Sequence, residues 1–215
     1  MASLHTLLGV VLCSLMVSSS EILPQADFDL QAMAGKWYRT GICSNAQWFV
    51  SRKANMKTST AIITPTEDGG LELSFFSLIN DTCQKMENLA NKTEVPGRFT
   101  YKSRHWGYVS DMLMVDVKYD EYALSYSFNT RGNETFVINR LFGRSLDLSD
   151  EVQEKFRQFC LQTGILPENA VLLPKSGTFT LVVKFYIKTA WNTVMLCTDH
   201  LTLSIFPSTE ECPLA

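Results

Sequence analysis

The chain has 215 residues, 46% of them hydrophobic and 19% charged, which is enough apolar content for a sizeable core and too much for a disordered chain. Nineteen basic residues against twenty-two acidic ones leave a formal net charge of −3 and no long basic run, so nucleic acid and anionic membrane are not expected partners. Few histidines, no Cys-x-x-Cys pair, no P-loop and no dinucleotide fingerprint leave no metal and no cofactor expected.

Residues 1–20 read as a signal peptide. Met1 to Ser20 carry no Lys, Arg, Asp or Glu, although a basic start is the usual pattern. Leu7 to Val17 are mostly apolar, and the small residues Ser18 and Ser20 follow where a signal peptidase cuts. The stretch falls well short of the ~20 apolar residues that a membrane span needs. The expectation is a secreted, extracellular protein with no stable membrane insertion. Sequons at Asn80, Asn91 and Asn133 agree with export and glycosylation. Without Cys13 of the leader, Cys43, Cys83, Cys160, Cys197 and Cys212 remain, an odd number that leaves at least one thiol free or paired with another chain.

Glu21 to Leu30 form a polar lead-in. Trp37 to Ile42 open the first strand after Ala34-Gly35, and Cys43 to Lys57 read as a long loop. Thr58 to Thr64 are rich in β-branched residues and end at Pro65. The turn Glu67-Asp68-Gly69-Gly70 leads into Leu71, Leu73 and Phe75, which alternate with polar residues at the period of a half-buried strand. Further strands fall at Cys83 to Leu89, around Phe99 and Tyr101, and at Met112 to Val117, Tyr122 to Phe128 and Thr135 to Phe142. Leu148 to Gln162 break this period. Val152, Phe156, Phe159 and Cys160 lie at helical spacing, with Ser149 to cap the start and Gly164 to end it. Eight strands and one amphipathic helix fit a closed antiparallel barrel with the helix packed outside. A sandwich would use similar strands.

The two ends of the strand pattern separate these alternatives. Gly35-Lys36-Trp37-Tyr38 begins strand one, and Leu141-Phe142-Gly143-Arg144 ends strand eight. This pair resembles the signature of the lipocalins, in which the arginine closes over the tryptophan at the sealed end of the barrel, a cation–π contact of about 1–2 kcal/mol. Gly35, Trp37 and Arg144 are therefore the expected barrel-closing residues. The resemblance implies an all-β fold: an eight-stranded antiparallel up-and-down β-barrel with one C-terminal α-helix outside, covering residues 21–176. A closer resemblance, over about Asp27 to Lys175, is to lipocalin-type prostaglandin D synthase and its near relatives. It rests on Ser44-Asn45, Trp48, Asp68-Gly69-Gly70-Leu71, His105-Trp106-Gly107, Tyr119-Asp120-Glu121-Tyr122-Ala123-Leu124 and Glu154-Lys155-Phe156. Where the family reads Thr-Asp-Tyr, this chain has Val117-Lys118-Tyr119.

The resemblance implies a carrier of a small hydrophobic ligand such as a retinoid or fatty acid. An isomerase of prostaglandin endoperoxide is the enzymatic alternative. That isomerase works through a cysteine thiolate on strand two, and its position here falls at Ser59, a far poorer nucleophile without an activating base. His105 is not near it in sequence. Cys43 is expected to be a free or incidental thiol near the mouth, and Cys160 a buried thiol on the helix. A lipocalin acting through its outer loops on a cell-surface receptor is a third reading. If alternate strand positions face the cavity, Ser59, Ala61, Ile63, Leu73, Phe75, Ser77, Phe99, Tyr101, Met112, Met114 and Phe142 line it, with Trp48 and Trp106 by the open end. The lining would be aromatic and Met-rich with few polar groups.

Lipocalins of this type tie strand four to the C-terminal segment with a disulfide, which implies a bond from Cys83 to Cys212, or else to Cys197. Residues 177–215 depart from the family pattern. The apolar, β-prone stretch from Thr178 to Pro207 is an atypical C-terminal extension, read as foreign to the fold and as an unspliced segment of the gene.

Overall fold

A computed structural model of the chain describes residues 21–79 and 82–175. The expected leader, the C-terminal extension, Asn80, Cys197 and Cys212 lie outside these residues.

The strands are β1 (Gly35–Cys43), β2 (Ser59–Pro65), β3 (Leu71–Ile79), β4 (Thr82–Lys92), β5 (Arg98–Lys102), β6 (Val109–Lys118), β7 (Tyr122–Arg131) and β8 (Glu134–Gly143). Each pairs antiparallel with the next, and β1 pairs with both β8 and β2, so the sheet closes into an eight-stranded barrel. Closure leaves no open edge along β1, β2 or β8. Two elements lie where no strand or helix period is visible in the residues. A one-turn helix, α1 (Gln47–Val50), sits in the long first loop, and a three-residue strand, β9 (Ala170–Leu172), pairs with the Gly41–Cys43 end of β1. Three residues are too few to show a period of two, so β9 has no sequence signature. Between β4 and β5 the ladder holds only Asn91↔Thr100 and Lys92↔Phe99, so β4 stands without a β5 partner along the part nearer the mouth.

The interior is packed in its lower half. Trp37, Ala61, Leu71 and Phe99 are buried there with Ile63, Leu73, Met112, Met114 and Phe142. Burial of each large side chain contributes about 1.5–3 kcal/mol. The N-terminal segment crosses beneath this layer. The Gln25 backbone N–H donates to the Met114 carbonyl (2.8 Å), and Phe28 packs edge-on against Phe99 (5.8 Å between centroids). Trp37 Nε1 donates to the Met33 carbonyl (2.9 Å), and the Arg144 guanidinium lies 3.8 Å from the centre of the Trp37 ring. Arg144 also donates to the carbonyls of Tyr119, Lys36, Ala32 and Ala34. Gly35 adopts φ 99°, a left-handed conformation natural to glycine, and this turn brings the chain under Arg144 into β1.

Helix α2 (Asp150–Gln162) packs outside the barrel. The Ser149 hydroxyl accepts from the Val152 N–H, and Asp150 and Glu151 favour the positive end of the helix dipole. Val152, Phe156, Phe159 and Cys160 are buried, the face that the sequence spacing marked. Phe156 sits over Gly41, where a Cβ would come within 2.8 Å of its ring.

One expectation is corrected here. Cys43 and Cys160 are not thiols; they form a disulfide, with Cα atoms 6.3 Å apart, that ties the end of β1 to α2. They are 117 residues apart in the chain, and nothing in sequence spacing chooses one pairing among several. Cys83 is also disulfide-bonded. Its expected partner, Cys212 or Cys197, lies outside the described residues.

Candidate functional site

Above the packed layer the barrel opens into a cavity of about 1030 Å³. Alternation places its walls. Trp37 faces inward, so Arg39 does too, and the antiparallel registers Arg39↔Ser59 and Arg39↔Phe142 set all three at one height. On β8, Phe142 belongs to the packed layer, whereas Arg140, Ile138 and Phe136 line the cavity in ascending order toward the mouth. Arg39 and Arg140 are thus its floor.

Of the residues expected to line a cavity, Trp48, Phe75, Ser77, Tyr101 and Trp106 do. Trp48 sits on α1 with its ring 6.3 Å from that of Phe136, and Trp106 lies half-exposed in the β5–β6 turn against His105 (4.7 Å). Ala61, Ile63, Leu73, Phe99, Met112, Met114 and Phe142 face inward but belong to the packed layer beneath. Ser59 is fully buried beside Arg39, and its hydroxyl has no hydrogen-bond partner. The aromatic part of the lining is as anticipated, but its charge is not. Among the described residues, seven basic side chains line the cavity (Arg39, Arg52, Lys57, Lys85, Arg104, Arg131 and Arg140), against one acidic residue, Glu87, which is paired with Lys85 at 2.6 Å.

Sequence reasoning passed over Arg39 and Arg140. The signal was present, because each is two positions from an inward aromatic residue: Trp37 for Arg39 and Phe142 for Arg140. A charge inside a barrel runs against the cost of burial, so the alternation of apolar residues does not point to either arginine. In the structure, burial and then the Arg140 guanidinium lower the pKa of Arg39 to about 10, with Tyr108 acting in the opposite direction. Tyr108 is raised to about 12, chiefly by burial and next by Tyr101. Arg140 Nη1 donates to the Ser127 hydroxyl (3.1 Å), whereas Arg39 Nε is buried with no partner. The hydroxyls of Ser110 and Ser125 are buried and equally unpartnered.

No cysteine thiol is free among the described residues, since Cys43, Cys83 and Cys160 are all disulfide-bonded. Among them, too, no group of three His, Cys, Asp or Glu residues could hold a metal ion, and no helix is long and apolar enough to cross a membrane. Of the sequons, Asn91 is exposed on β4 and Asn133 is exposed in the β7–β8 turn.

The family model of the lipocalin / cytosolic fatty-acid binding protein family matches residues 34–177. The chain is 40% identical over 154 residues to a protein of Rhinella marina named lipocalin, covering 72% of this chain and 84% of that one. It is 32% identical over 183 residues to prostaglandin-H2 D-isomerase of Felis catus, covering 82% and 96%. Among solved structures it resembles a siderocalin, Ex-FABP, described as functioning through dual ligand specificities. The TM-score is 0.59 at 28% identity, covering 68% of this chain and 97% of that one.

Proposed function

The chain belongs to the lipocalin family, whose members generally bind small hydrophobic ligands, and from that premise we propose that it is an extracellular carrier of a retinoid, fatty acid or similar lipid. The observation that carries this reading is the cavity of about 1030 Å³ walled by Trp48, Phe75, Tyr101 and Phe136. Its volume is close to the upper end of the roughly 300–1,000 Å³ of small-molecule sites, and Ile42, Trp48, Phe75, Phe136 and Ile138 give it an apolar and aromatic surface between its charged groups. The disulfides fit an oxidising, extracellular compartment, and the exposed Asn91 and Asn133 fit glycosylation there.

Carriage is favoured over isomerisation by the chemistry at Ser59. A serine needs a neighbouring base to act as a nucleophile. The Ser59 hydroxyl has no hydrogen-bond partner, its cross-strand neighbour is the cation Arg39, and no described cysteine offers a thiolate.

Native mass spectrometry of the secreted protein tests the reading, with a single lipophile bound per chain as the expected result. Quenching of the cavity tryptophans Trp48 and Trp106 by added retinoid or fatty acid is the companion measurement. A barrel that is isolated empty and binds no lipophile defeats the proposal. Thiol-blocker-sensitive turnover of prostaglandin endoperoxide would defeat the preference for carriage over catalysis.

A further inference from the structure

We propose that the cavity floor is a carboxylate site: the guanidiniums of Arg39 and Arg140 receive the acidic head of an amphiphilic ligand, which binds head-down with its tail toward the mouth. This rests on the carrier reading and deepens it.

The first support is an imbalance of charge. Two guanidiniums share the floor, and among the described residues no carboxylate lines it; Glu87, the single acidic lining residue among them, is engaged with Lys85. Buried like charges without a counter-ion are costly, and their usual resolution is a partner of opposite sign. The lowered pKa of Arg39 records that cost, yet at about 10 the group is still a cation at neutral pH.

Hydrogen-bonding capacity is the second support. Arg39 Nε is a buried donor with nothing to donate to. Ser59 stands across from Arg39 and Ser125 across from Arg140, both with buried, unpartnered hydroxyls. A carboxylate has two oxygens and about four lone-pair sites, and guanidinium donors suit it in geometry and charge. The site therefore offers donors of the right kind at the one level of the barrel where the packed layer ends.

The third is polarity along the barrel axis. Above the floor, Ile42, Phe75, Tyr101, Phe136 and Ile138 present apolar surface suited to a hydrocarbon tail. The mouth then turns basic again with Arg52, Lys57 and Arg104, whereas Arg131 is paired with Glu134 (2.8 Å). On a chain of net charge −3, that ring draws anions toward the opening, so one end of the cavity recruits and the other fixes.

The test compares palmitic acid with hexadecanol, of equal chain length, by quenching of cavity tryptophan fluorescence in the full chain. The acid is expected to bind at least about 10-fold more tightly than the alcohol, in line with charge-assisted hydrogen bonds. Arg39→Met and Arg140→Met should each bring that ratio toward one while the alcohol still binds, which also shows that the variant barrel is folded. A mouth variant, Arg104→Gln, should slow association of the acid at low salt and lower the ratio by less than either floor substitution. Equal binding of acid and alcohol by the native protein overturns the carboxylate site and leaves the carrier reading standing. A ratio that survives both floor substitutions, or that Arg104→Gln lowers as far as they do, also overturns it. If neither probe binds, the carrier reading itself falls and the site falls with it.

Discussion

The Arg144 guanidinium stands 3.8 Å from the centre of the Trp37 indole and donates to four backbone carbonyls, three of them in the segment Ala32–Lys36. One side chain thus joins the end of β8 to the start of β1 and to the β6–β7 turn. Arg144→Ala should lower stability by about 3 kcal/mol, combining lost charged hydrogen bonds with the cation–π contact. For a barrel of this size that is a fall in Tm of roughly 6–12 °C. Arg144→Lys keeps the charge but not the planar fork, and should recover less than half. A lysine variant as stable as the native protein would show that charge alone matters.

The Cys43–Cys160 bond closes a loop of 117 residues. The double variant Cys43→Ser/Cys160→Ser should lose about 2–5 kcal/mol, because the unfolded chain regains conformational freedom. Denaturant titration of both proteins under non-reducing conditions checks this. The expected signature is a lower midpoint, with the fluorescence spectrum of the folded state unchanged.

Gly41→Ala tests how α2 is seated. The added methyl would stand 2.8 Å from the Phe156 ring and 3.1 Å from Leu141 Cβ, so the helix must lift or β1 must shift. A loss of about 1–3 kcal/mol is expected from this overpacking. Phe156→Leu should offset part of it, so the double variant should be more stable than the sum of the two single changes implies. Strict additivity would mean that Phe156 is not the obstacle.

Arg39 should make stability depend on pH in an unusual direction. Arg39 titrates near 10, well below an arginine of the unfolded chain, so the folded barrel disfavours the cation. The stability lost to this group is recovered as pH rises above about 10, and it is fully missing at neutral pH. Arg39→Met should therefore be more stable than the native protein at pH 7.5, by roughly 2 kcal/mol, with the advantage narrowing by pH 10.5. Tyr108, raised to about 12, loses its own contribution as pH rises from 10 to 12, and comparing the two proteins at each pH largely removes it. Urea midpoints at both pH values settle the matter. A variant less stable at pH 7.5 would show that Arg39 is held favourably by its surroundings.

Much of the fold is readable because two periods dominate. Alternation placed the eight strands, and the spacing of Val152, Phe156, Phe159 and Cys160 placed α2, since each element hides one face against the same interior. Elements held by one or two local contacts left no such trace. α1 has only Phe49 buried, and β9 is held by its ladder to β1. The site was half legible. Trp48, Phe75, Ser77, Tyr101 and Trp106 were found among the lining residues, but the height at which the core stops being solid depends on how side chains fill a closing barrel, which no single strand encodes. Arg39 and Arg140 escaped because inward charges contradict the rule that makes the strands readable. Such contradictions are expected where function, rather than stability, sets the residue.

The junction around β1 also governs the order in which the barrel can be assembled. Its lower half pairs with β2, but Tyr38 pairs with Gly143, about a hundred residues later in the chain. During synthesis the first strand emerges long before its second neighbour exists. Ring completion must wait for the C-terminal part of the domain, which makes this a slow folder whose unfinished sheet is exposed to self-association in the meantime.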